Sequence, residues 1–94
     1  MLDMKEAIRR AKHEISEIFA DEGISDLGLE EVRYDDDSGV WKVTLGFARP
    51  WRNPKGPFSG IAAALSQRDF KVVTLDGTDG HLVSIEERRL LEHG

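Results

Sequence analysis

Arg49, Trp51, Arg52, Lys55 and Phe58 fall within ten consecutive positions, and arginine with large aromatics is the composition enriched where protein surfaces bind one another. The chemistry open to such a set is recognition: guanidinium groups pair with carboxylates or phosphates, and an aromatic face stacks. Other chemistries lack their parts. There is no cysteine, so thiol catalysis, thiolate metal sites and a disulfide framework are all excluded. His13, His81 and His93 share no metal-ligand spacing. Ser59, in Pro57-Phe58-Ser59-Gly60, lacks the first glycine of a nucleophile elbow. Gly56, Gly60, Gly77 and Gly80 match neither a P-loop nor a dinucleotide fingerprint. The acidic runs Asp35-Asp36-Asp37-Ser38-Gly39 and Asp76-Gly77-Thr78-Asp79-Gly80 lack the ligand series and distal Glu of an EF-hand loop, and both read as hairpin turns. The expectation is a chain that is not an enzyme, with no catalytic residue, no metal and no cofactor.

Charge is segregated along the chain. The formal net charge is −5, yet residues 49–71 carry +4, from Arg49, Arg52, Lys55, Arg68 and Lys71 against Asp69, so the remainder carries −9. The overall acidity argues against general binding of nucleic acid or an anionic membrane. No apolar run approaches the length of a membrane span, and the opening MLDMKEAIRR has no apolar signal region. The expected location is the cytoplasm.

The elements that must position the basic stretch follow from periodicity. Met4, Ile8, Ala11, Ile15 and Ile18, with Phe19 beside them, repeat at three and four and mark one face of a helix over about Asp3–Glu22. Asp3 and Glu6 have capping-box spacing, and Gly23 is placed to end the helix. The period then changes to two. Strands are expected over Leu29–Tyr34, Val40–Ala48, Asp69–Leu75 and His81–Ile85, in two hairpins separated by a long connection at 49–68 that holds Pro50, Pro54 and Pro57. Ninety-four residues with 39% hydrophobic content suit one domain of class α+β, a long N-terminal helix packed on a four-stranded antiparallel sheet in the order α-β-β-loop-β-β. Its expected core is Ile8, Ile15, Phe19, Trp41, Val43, Leu45 and Phe47, while Val40, Val73 and Leu82 are expected on the sheet face away from the helix.

Two segments carry a family resemblance. FKVVTLDGTDGHLVSI resembles the closing hairpin of the PepSY domain, and GVWKVTLGF resembles its middle strand, with the leading helix and the connector Ala20–Leu27 in the matching places. The cystatin-like arrangement of one long helix on an antiparallel sheet is a similar analogy. The stretch Arg49 to Lys55 lengthens the connection beyond the PepSY pattern. The resemblance implies a small module that acts by binding or inhibiting.

Two readings stay open for the connection. In one, Trp51 and Phe58 fold back over the sheet and the arginines pair with the acidic helix. In the other, Arg49, Trp51, Arg52, Lys55 and Phe58 form the contact surface for a protein partner, a second copy of the chain included. The second gives the expected function, a non-catalytic protein-interaction or regulatory module. Its rivals are a nucleic-acid accessory protein using residues 49–71 and a carrier of a small ligand.

Overall fold

The computed structural model describes residues 1–49 and 68–88. Helix α1 runs over Met4–Ile18 and a 3-10 turn over Ala20–Glu22, followed by strands β1 (Ser25–Asp35), β2 (Val40–Ala48), β3 (Arg68–Asp76) and β4 (Leu82–Glu87). The strands form one antiparallel sheet in the order β1-β2-β3-β4, and α1 lies across one of its faces. The protein is therefore α+β.

The start of α1 is capped as its spacing predicts: the Asp3 side chain accepts the Glu6 N–H at 2.8 Å. Its end comes earlier than the periodicity predicts, at Ile18 rather than Glu22. No basic residue stands in the last turn, and Asp21 and Glu22 would add negative charge at the negative end of the helix dipole. The chain tightens into the 3-10 turn instead, and Gly23, at φ 64°, closes it in the left-handed region that glycine enters freely.

The buried line of α1 is Ala7, Ala11 and Ile15, which shares Ala11 and Ile15 with the expected stripe and takes Ala7 in place of Ile8. Met4 and Ile18 are exposed and Ile8 is half-buried, so these three are corrections. Two alanines take little space, which suits a facing strand that presents Trp41, Val43, Leu45 and Phe47. Register places Leu75 opposite Trp41 and Val73 opposite Val43 on the same face. Val73 is fully buried and Leu82 packs against the core, so neither lies on the face away from the helix. The displaced alternation at Leu82 has a physical cause. Ser84 pairs with Thr74 and Leu82 with Leu75, so Val83 is an extra residue, and the bulge brings both Leu82 and Ile85 to the core face.

Two hairpin turns meet at the N-terminal end of α1. The Gly77 N–H donates to the Gly39 carbonyl at 2.9 Å, and the Leu2 N–H donates to the Gly77 carbonyl at 2.8 Å. Strand pairing alone would not tie these three segments together. The sheet's opposite end, where β2 stops and β3 begins, is where the connection leaves and returns.

Candidate functional site

Arg49 immediately follows β2, and its side chain turns inward. Its Nε lies 2.9 Å from Asp69 Oδ2, both side chains being only 10% exposed, and its Nη1 lies 4.0 Å from Glu22 Oε1. The guanidinium carbon stands 4.9 Å from the Phe19 ring centroid and 5.5 Å from that of Phe47, and the two rings are themselves 5.3 Å apart. Stacking and pairing of this kind suit the planar, delocalised guanidinium. Arg49 thus joins the end of β2 to the start of β3 and to the 3-10 turn. It serves the fold at the root of the connection, not an exposed contact.

Arg68 holds the other root. Its Nη2 donates to the Asp26 carbonyl at 3.1 Å, and Ala48 is its cross-strand partner. Arg68 and the ring of Phe70 lie over Gly46 so closely that a Cβ there would stand 2.9 Å from each. The remaining expected contact residues, Trp51, Arg52, Lys55 and Phe58, lie outside the described residues. Asp69 and Phe19 are the partners that sequence reasoning misses as a set. In the sequence Asp69 counts only as an offset to the basic stretch, and the signal available is its place opposite Phe47 in the β2/β3 register.

The other cluster of chemistry-bearing groups is the turn between β3 and β4. Asp76, Asp79 and His81 bring one ligand atom each within 4.8 Å of one another. These oxygens already serve the turn. Asp76 Oδ1 accepts the N–H groups of Thr78 at 2.8 Å and Asp79 at 3.2 Å, while Asp79 Oδ1 accepts the His81 N–H at 2.9 Å and lies 2.7 Å from His81 Nδ1. The hydrogen bonds from the His81 backbone and ring hold the Asp79 carboxyl below its ordinary value. The same ring contact, with the negative charge of Asp79, raises His81. In the other turn, hydrogen bonding from the Ser38 side chain and then from the Asp37 backbone lowers Asp35.

Among the described residues, no helix is long and apolar enough to cross a membrane. Neither a family model nor a curated protein nor a solved structure matches the chain.

Proposed function

We propose that the chain is a non-catalytic protein-interaction module, regulatory or inhibitory in action, that captures an acidic partner surface through Trp51, Arg52, Lys55 and Phe58. One observation carries the reading. The segment bearing these residues leaves and re-enters the sheet at adjacent positions, Ala48 paired with Arg68, and its root is fixed by the Arg49–Asp69 ion pair. A rigid scaffold that presents one basic, aromatic segment suits recognition, because binding residues concentrate on loops positioned by regular structure. The +4 of residues 49–71 favours carboxylate-rich partners, and the −9 of the rest of the chain makes a second copy one of them.

The test pairs a pull-down from the native host with a denaturant titration of the Trp51→Ala, Arg52→Ala double variant. Loss of partner capture, or of a dimer seen by ultracentrifugation, with stability changed by only about 0.5 kcal/mol, is the expected result. A variant destabilised by several kcal/mol would place Trp51 in the core, and a stable variant that binds normally would remove the segment from consideration. Retention of RNA by the parent chain, weakening with salt, would favour the nucleic-acid reading instead.

A further inference from the structure

Independently of the connection, the sheet face opposite α1 carries an arrangement that costs the fold stability. Arg33 and Lys42 are direct cross-strand partners, two like charges facing each other across β1 and β2, and such pairs are destabilising. Arg88, just past β4, lines the same concavity of about 160 Å³, together with Glu31, Thr44 and Val72. Arg33, Arg88 and Glu31 are exposed, Lys42 is half-buried and Thr44 is buried. Among the described residues, neither Arg33 nor Lys42 nor Arg88 has a carboxylate within ion-pair distance. Three cations from three separate segments therefore converge on one small, open site.

Size and charge select the guest. At roughly 30 Å³ per water in the liquid, the concavity holds the volume of about five waters. That is well below the roughly 300–1,000 Å³ of a pocket that encloses a whole drug-sized ligand. Among the lining residues, three cations less Glu31 leave +2, with Asp35, whose carboxyl feels Lys42, and Glu86, paired with Val72, at the border; a phosphate monoester carries roughly −1.5 to −2 near neutral pH. Arginine and lysine donors, with a hydroxyl nearby, suit a group that accepts through several oxygens. We propose that Arg33, Lys42 and Arg88, with Thr44 on the floor, form a binding site for the phosphoryl group of a small phosphate monoester.

The experiment is an amide-resolved NMR titration of the full chain with inorganic phosphate and with ribose 5-phosphate, at constant ionic strength set with chloride. Saturable shifts confined to Arg33, Lys42, Thr44, Val72 and Arg88 are expected, weakening as the pH falls below about 6 and the second phosphate proton returns. Equal binding of both probes would identify the phosphoryl group alone as the recognised element. Stronger binding of the sugar phosphate would extend recognition to the ester's hydroxyls. Arg33→Ala, Lys42→Ala should weaken binding about tenfold or more, as loss of a charge-assisted contact does, while its thermal midpoint is unchanged or higher because the opposed charges are gone. Arg88→Ala, outside the strands, repeats the loss of binding without touching the ladder, and Lys5→Ala on the exposed side of α1 should bind as the parent does. Absence of saturable shifts, shifts reproduced by chloride alone, or an equal loss in Lys5→Ala would overturn the proposal.

Discussion

The indole N–H of Trp41 donates to the backbone carbonyl of Leu2 at 3.1 Å, across 39 positions of sequence. Trp41 therefore does two jobs: its ring fills the core beside Tyr34, with centroids 5.1 Å apart, and its nitrogen ties down the segment leading into α1. The two jobs are separable. Trp41→Phe keeps most of the apolar volume and strands the Leu2 carbonyl, so it should cost about 1–3 kcal/mol. Trp41→Ala adds a cavity and should cost about 3–5 kcal/mol. Urea titrations of both variants check this: an unshifted Trp41→Phe would mean that the hydrogen bond contributes nothing, and equal losses that the cavity adds nothing to it.

Gly77 and Gly28 should respond in opposite directions to the same change. A Cβ on Gly77 would stand 2.7 Å from the Gly39 carbonyl oxygen and 2.9 Å from the Tyr34 ring, and the backbone atom cannot swing aside. The joint between the two turns also depends on that approach. Gly77→Ala should therefore destabilise by about 1–3 kcal/mol, on the scale of overpacking. At Gly28 nothing lies within 4 Å of the place an added methyl group would take. Gly28→Ala should leave stability unchanged or raise it by up to about 1 kcal/mol, through the lost freedom of the unfolded chain. Thermal melts of the pair decide the matter.

Much of this fold is legible in the sequence, and the misses share a cause. The alternation of Trp41, Val43, Leu45 and Phe47 needs no tertiary information, because β2 is a central strand with one face wholly buried. Val73 and Leu82 fall on the wrong face in a sequence reading because alternation within a strand does not say which side meets the helix. A bulge at Val83 also breaks the period in β4. In α1 the expected stripe includes the buried Ala11 and Ile15 but takes Met4, Ile8 and Ile18 by their size and passes over Ala7, whose burial depends on what stands opposite. Composition alone points Arg49 toward a binding surface. Its true neighbours, Phe19, Glu22 and Asp69, come from separate parts of the chain, and no local pattern joins them.

The Asp79–His81 pair predicts a pH dependence whose sign follows from the two shifts. His81 is raised above 6.5 by Asp79, so its contribution is fully present below 6.5 and is lost as the pH rises through the higher folded-state value. Asp79 is lowered below 3.8, so its contribution is present above 3.8 and is lost as the pH falls through the lower folded-state value. The pair supports the turn most strongly between these limits. Both side chains are well exposed, which keeps the effect small and sensitive to salt. Urea midpoints of the parent and of His81→Ala should differ most near about pH 5.5 and converge on the alkaline side, by about pH 9. A difference that grows with pH would contradict the assigned pairing.

The Arg49–Asp69 pair makes the strongest prediction, because its members are almost out of water and one stacks on two phenylalanines. Removing one partner of a buried pair leaves the other desolvated, at a cost of about 3–5 kcal/mol, whereas removing both costs less than the sum. Asp69→Ala and Arg49→Ala should each lower stability on that scale. The double variant should recover part of the loss, with Arg49→Ala retaining the share that belongs to stacking on Phe19 and Phe47. A double-mutant cycle by denaturant titration yields the coupling directly. The same cycle bears on function, since the pair fixes the root of the segment that carries Trp51 and Arg52. Variants of Arg49 should lose partner capture in proportion to their loss of stability, while Trp51→Ala, Arg52→Ala should lose it with stability retained. An Arg49 variant that stays fully stable yet no longer binds would return Arg49 to the contact surface and overturn its assignment as an anchor.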